Sequence, residues 1–236
     1  LLSFANAGLI SQPILNPDIG YGLEDFRLLA MLAPDCKATV TVSKDSDIKT
    51  ARDWIDFVTS GEPFTYAVPG SGGYGHISML NVLGQLNSTT GTGVAYEGNN
   101  GAYTALLTNE VDFCIVDDNF IFNYYNQGEC NVLGCVSMSP SSYLDGVPAL
   151  SDYGLTDLDA LGGWKVLAIR SETPDAIVEY IKEEVNKVLG SENYKTYLET
   201  SGYGAFDSLL TEDELTDLVK KAYDIYSESL KNAGLM

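Results

Sequence analysis

The sequence predicts an α/β fold with mostly parallel sheets, and three observations carry that expectation. Strand-type and helix-type runs alternate along most of the chain. Two of the strand-to-helix passages go through glycine-rich loops, at residues 69–76 and 97–101. The last third is helical. In open sheets of this class a ligand lies outside the carboxyl ends of the strands, and both glycine loops occupy that kind of position.

In chain order, residues 1–10 are small and apolar, and residues 11–22 form a connecting stretch punctuated by Pro13, Pro17, Gly20 and Gly22. Residues 26–33 are an apolar run that periodicity leaves open between strand and short helix. Residues 38–42 alternate and are β-branched, which predicts a strand. Residues 50–58 place Ala51, Trp54, Ile55 and Val58 on one helical face. A strand at 64–68, a helix at about 76–87 and a strand at 93–96 follow. A second helix opens at Ala102, a strand covers 111–116, a helix 120–126 and a strand 132–136. Residues 137–163 read as loop, 164–169 as a strand, and 175–189, 192–200 and 212–233 as helices. Thr211 and Glu214 form a capping box, with acids in the first turn where the helix dipole favours them.

Charge narrows the function classes. Thirteen Lys and Arg against 33 Asp and Glu leave a net charge of −20, which excludes a nucleic-acid surface and disfavours an anionic membrane. An anionic ligand would have to be held by dipoles and hydrogen bonds against that field. One histidine and four cysteines without a C-x-x-C pair exclude the usual zinc sets, so no metal and no cofactor is expected. Cys114 reads as core. Cys130 and Cys135 are either a pair or two buried free thiols. No apolar run is long enough to span a bilayer.

Several chemistries compete at the loops. Gly70-x-Gly72-x-x-Gly75 has the dinucleotide spacing, follows a strand, precedes a helix, and is followed by Glu97 at the next strand end. An NAD-binding oxidoreductase is therefore one reading, although Glu97 itself opens a second glycine loop where a dinucleotide fold needs one. Ser71 lacks the G-x-S-x-G setting of a hydrolase nucleophile. His76 reads as a side chain at a helix start, bonded either to its own loop or to a ligand. Asp117-Asp118 at a strand end reads either as a solvated loop or as a polar selector. Tyr21, Tyr74, Tyr96 and Tyr124 offer hydroxyls to a cleft, though most tyrosines are simply half-buried.

Read together, Tyr66-Ala67-x-x-Gly70-x-Gly72-x-x-x-His76, Tyr96-x-Gly98-x-x-x-Ala102-x-Thr104-x-Leu106-Leu107 and Glu110-Val111-Asp112 resemble the TctC/Bug family. These are the extracytoplasmic solute receptors of tripartite tricarboxylate transporters. Asp25-Phe26, Val147-Pro148, Gly154-Leu155, Trp164 and Thr173-Pro174 continue the likeness in order over nearly the whole chain. The resemblance implies a two-lobed, type II periplasmic-binding-protein-like Venus flytrap, with the N-terminal part of the first lobe missing. Residues 1–65 would begin lobe I, 66–163 form lobe II, and 164–236 return to lobe I, with the strands at 64–68 and 164–169 as the crossings.

The implied function is capture of a small organic carboxylate, a di- or tricarboxylate or related acid, for delivery to the transporter's membrane subunits. The receptor would be monomeric and not an enzyme. It would be extracytoplasmic, either periplasmic or a lipoprotein on the outer face of the cytoplasmic membrane. The residues implied at the ligand are Asn6, Gly70, Ser71, Gly72, Gly73, Tyr74, His76, Gly98, Asn99, Asn100 and Asp117. Gly72→Val is expected to abolish binding while sparing the fold. The chain departs from the family at Val68, Gly73 and Gly75, which replace serines, and at Glu97, which replaces a common Lys. The usual Asp after the Val-Asp strand falls on Val116, with Asp117 one residue later.

Overall fold

The structure, a computed structural model, describes residues 2–5, 7–33, 36–201, 203 and 210–236. Its strands are β1 (Leu2–Ala5), β2 (Phe26–Ala33), β3 (Ala38–Ser43), β4 (Phe64–Val68), β5 (Gly91–Ala95), β6 (Phe113–Asp117), β7 (Cys130–Val136) and β8 (Lys165–Arg170). Its α-helices are α1 (Gln12–Leu15), α2 (Ala51–Val58), α3 (Tyr74–Gln85), α4 (Gly98–Leu107), α5 (Asp118–Asn126), α6 (Asp175–Leu189), α7 (Glu192–Thr200) and α8 (Glu212–Asn232). The run at 26–33, open between strand and helix in the sequence, is a strand. Its β-branched partner β8 pairs with it along its length.

Among the described residues the strands form two sheets, ordered β1–β8–β2 and β5–β4–β6–β3–β7. The expectation of mostly parallel pairing needs correction. Only the β5–β4 and β4–β6 pairs are parallel; β7 runs in the same direction as these strands, but β3 lies antiparallel between β6 and β7, and the smaller sheet is antiparallel throughout. The parallel part is the portion built from strand–helix–strand units, in which α3 and α4 provide the crossovers. Strand β3 enters from the other sheet with no such unit before it, so nothing constrains it to the same direction.

Sheet membership also divides the chain elsewhere than residue 65. Strand β3 and helix α2 precede that point yet belong with the larger sheet, which therefore begins at residue 38. Strand β4 lies wholly inside that sheet and is not a crossing. The chain passes between the sheets after β2 and again between β7 and β8.

Local chemistry explains the elements. Helix α2 buries Ala51, Trp54, Ile55 and Val58, the face read from its spacing. Thr50 caps it, accepting from the Asp53 N–H at 3.1 Å, while Asp53 accepts from the Thr50 N–H at 2.9 Å. Tyr66 and Phe113 sit in register on β4 and β6, and their rings stack at 5.5 Å, with Trp54 edge-on to Phe113 at 5.7 Å. Such pairs fix strand register beyond what area burial alone supplies. The main core runs from these aromatics through Ile77, Val82 and Trp164 to Leu215, Val219, Ala222 and Tyr226 of α8. Helix α8 packs on both α3 and β2, so one apolar core joins the two sheets. Thr211 and Glu214 form the capping box read from the sequence.

Cys130 and Cys135 are free and buried. They lie five residues apart on the single strand β7, about 17 Å at the usual rise per residue, far beyond the roughly 7 Å limit for a disulfide. Residues 137–163 contain two 3₁₀ turns, Leu150–Tyr153 and Leu158–Leu161, among loops. No helix among the described residues is long and apolar enough to cross a membrane.

Candidate functional site

The site lies where β4, β5 and β6 end and α3, α4 and α5 begin. A helix N-terminus carries unpaired N–H groups and a partial positive charge. Here three such ends are drawn together by side chains. Tyr74, the first residue of α3, donates its hydroxyl hydrogen to Asp117, the N-cap of α5. Asn99, in the first turn of α4, donates its amide to the other Asp117 oxygen at 2.9 Å. The Asp117 N–H donates back to the Asn99 Oδ1 at 3.3 Å. Burial first, then the neighbouring Cys36 and Asp117, push the Tyr74 phenol well above its ordinary range, so it is a permanent donor.

Asp118 has a different set of partners and is buried, which corrects its reading as a solvated loop. Its carboxylate accepts from the Lys37 N–H at 3.1 Å, the Asn119 N–H at 2.9 Å and the Ser141 hydroxyl at 2.7 Å. Burial raises its pKa, and these three donors act in the opposite direction. Cys36 stands between the two aspartates, its Sγ 3.5 Å from the Tyr74 hydroxyl and 3.7 Å from Asp118 Oδ1. Burial and both aspartates push the Cys36 thiol well up, so it remains a neutral thiol.

The glycine loop is organised around its own backbone. The Gly72 N–H donates to His76 Nδ1 at 3.0 Å, and the Gly72 carbonyl accepts from the Ser11 hydroxyl at 2.6 Å. Gly72 has φ +70°, and a Cβ placed there would lie 2.6 Å from Leu15 Cδ1. His76 is therefore the loop-bonded histidine of the two alternatives in the sequence. It is neutral, with Nδ1 as acceptor, and burial lowers its pKa. The same geometry removes the dinucleotide reading. The central glycine of the fingerprint should offer bare backbone to a pyrophosphate, but here its N–H, carbonyl and Cα face are all occupied by protein. The expectation that Gly72→Val spares the fold fails for the same reason.

The other expected residues are distributed as follows. Gly70 (φ +111°) has open space around it, and Ser71 is exposed. Gly73 is the N-cap of α3. Gly98 (φ +67°), Asn99 and Asn100 form the first turn of α4, which starts four residues earlier than the sequence indicated, with Gly98 and Asn100 exposed. Asn6 lies outside the described residues. Thus Tyr74, Asn99 and Asp117 meet, Gly72 and His76 turn inward, and Ser71, Gly98 and Asn100 face solvent. Cys36, Asn119 and Gly163 join the site without having been expected there and without a sequence signal. Asp118, read with Asp117 as a solvated loop or a polar selector, joins it as a buried acceptor. Among the described residues no group of three or more His, Cys, Asp or Glu is placed to hold a metal ion.

Comparison with known proteins places this architecture. The model of a family described as the tripartite tricarboxylate transporter family receptor, TctC, matches residues 1–223. No curated protein sequence matches the chain. Among solved structures, a TctC solute-binding protein from Polaromonas superposes with a TM-score of 0.80 at 19% identity, over 98% of this chain and 77% of that one. The periplasmic binding protein BugD gives 0.80 at 18% identity, over 99% and 78%. MatC from Rhodopseudomonas palustris, solved with bound malate, gives 0.76 at 19% identity, over 97% and 78%. At these identities the structures establish the fold.

Proposed function

Because the chain belongs to the TctC family of tripartite tricarboxylate transporter receptors, we propose that it captures a small organic carboxylate outside the cytoplasm and delivers it to the transporter's membrane subunits. The observation that carries the reading is the meeting of three helix N-termini at Tyr74, Asn99 and Asp117. Such a junction favours negative charge without any Lys or Arg in either glycine loop, which suits a chain of net charge −20. Relatives of the same fold were solved with malate and with adipate, which supports a carboxylate ligand here.

In this reading the ligand carboxylate rests on first-turn N–H groups of α3 and α4, near Gly70, Ser71, Gly73, Gly98 and Asn100. Asp117 presents its remaining lone pairs to the ligand's other end. The two sheets act as the lobes, with the division at residue 38 rather than 66, and a bound ligand shifts the population toward a closed arrangement. The receptor works as a monomer, free in the periplasm or held to the membrane by a lipid anchor, and carries out no chemistry on its ligand.

The test is a thermal-shift and calorimetric titration with malate, adipate, citrate and succinate. A ligand at a hundredfold excess over its Kd should stabilise the protein by about 2.7 kcal/mol. If no organic acid moves the midpoint or releases heat, carboxylate capture is refuted. Micromolar binding of NADH in a fluorescence titration would point to the dinucleotide reading instead.

A further inference from the structure

The two passages between the sheets run side by side, and one cradle residue is wedged against both. The Gly163 N–H, just ahead of β8, donates to the Cys36 carbonyl, just ahead of β3, at 2.7 Å. A Cβ at Gly163 would meet Tyr74 Cζ at 2.9 Å and the Cys36 Cβ and carbonyl oxygen at 3.0 Å. Glycine is therefore needed there to admit the Tyr74 ring. The same tyrosine's hydroxyl reaches Asp117 on the cradle side and Cys36 Sγ on the hinge side. One residue on, the backbone is clamped as well. The Lys37 N–H donates to Asp118 Oδ1 at 3.1 Å, and the Asp118 N–H donates to the Lys37 carbonyl at 2.9 Å.

We propose that Tyr74 is a positioning residue that couples the cradle to the hinge: its hydroxyl senses the state of Asp117 and its ring sets the approach of Gly163 to Cys36. This rests on the reading that the sheets move as lobes about segments 36–37 and 162–164. Asp117 and Asn99 form the part of the site whose hydrogen bonds change when a ligand arrives. A shift of the Asp117 carboxylate moves the Tyr74 hydroxyl bonded to it, and the ring carries that motion to Gly163, where the space between them is too small for a Cβ. The coupling is thus carried by direct contact, from Asp117 through the Tyr74 hydroxyl and ring to Cys36 and Gly163, and the two-state element it biases is the spacing of the two passages.

Hydrogen exchange at the Gly163 amide, followed by NMR in the unliganded protein, is the test. That N–H bonds one passage to the other, so its opening reports the hinge. Tyr74→Phe keeps the ring and removes both hydroxyl contacts, and should speed Gly163 exchange by about three- to tenfold. Asp117→Ala, which removes the acceptor, should speed it comparably in the wild-type background and add little in the Tyr74→Phe background. Tyr96→Phe is the control, because its hydroxyl donates only to Glu110 at 3.2 Å within the larger sheet, and it should leave Gly163 unchanged. Unchanged Gly163 exchange in Tyr74→Phe would overturn the proposal, as would an Asp117→Ala effect that persists in full without the Tyr74 hydroxyl. The measurement uses no ligand, so its failure leaves carboxylate capture standing, and a failed malate titration leaves the coupling standing.

Discussion

Gly72→Ala isolates what the glycine loop is for. Two terms are expected. The left-handed conformation at φ +70° costs an L-residue about 1–2 kcal/mol. The added methyl carbon lies 2.6 Å from Leu15 Cδ1, so Leu15 has to shift. It is the end of a flexible, partly buried side chain, and the cost falls at the low end of overpacking, about 1 kcal/mol. The sum is about 2–3 kcal/mol, or about 4–12 °C in midpoint for a chain of this size. Gly98→Ala is the matched control. Gly98 has nearly the same conformation, φ +67°, but nothing within 4 Å of its added Cβ. It should show the conformational term alone. Urea unfolding of both variants, read at unchanged m-value, gives the difference directly. Adding Leu15→Ala to Gly72→Ala should recover the packing term as a non-additive coupling of about 1 kcal/mol. If Gly72→Ala costs no more than Gly98→Ala, Leu15 does not determine the need for glycine, and a role in backbone approach to a ligand returns.

Two further predictions concern titration and thiols. His76 is held neutral by burial, so its folded pKa lies below the ordinary 6.5. The unfolded chain then takes up a proton first as pH falls, and the stability present above about pH 6.5 is lost as pH drops through the folded value. Thermal midpoints at pH 7.5 and 5.5 should show this loss in the wild type and a smaller one in His76→Gln; equal losses would refute it. The four cysteines are buried, with the pKa of each raised, burial being the largest cause. A thiol-reactive probe should label them only on unfolding, and a reductant should leave the midpoint unchanged. A Cys130–Cys135 cross-link found by mass spectrometry of the native protein would contradict the strand assignment.

The parts of this fold that are legible in the sequence are those decided by neighbours in the chain. The Ala51–Val58 face, the Thr211 capping box and the glycine-to-helix passages are set within a few residues, and the ordered motifs around them identify the family. The direction of β3 is not set locally, because the same alternating run suits either direction and its entry from the other sheet leaves it free to run antiparallel. Helix α4 begins at Gly98, but Glu97 at its N-cap position makes no side-chain capping bond, so no local signal marks the start and the glycine-rich stretch reads as loop. The site itself was half visible. Tyr74, Asn99 and Asp117 were each marked by their position at a strand end, but their bonds join residues 18 and 43 apart. Gly72 carried the strongest motif signal and is used by the protein itself, through Ser11 and Leu15, which no spacing rule connects to it.

The arrangement of the two sheets also bears on how the chain acquires its structure. All strands of the larger sheet lie between residues 38 and 136, an unbroken stretch whose parallel core needs only adjacent strand–helix–strand units. The smaller sheet pairs Leu2–Ala5 with Lys165–Arg170, so its central strand is made more than 150 residues after its edge. During synthesis the larger sheet can form while the first residues still wait for their partner. Until β8 arrives, β1 and β2 present unpaired edges, and this interval is when the chain is most exposed to misassociation.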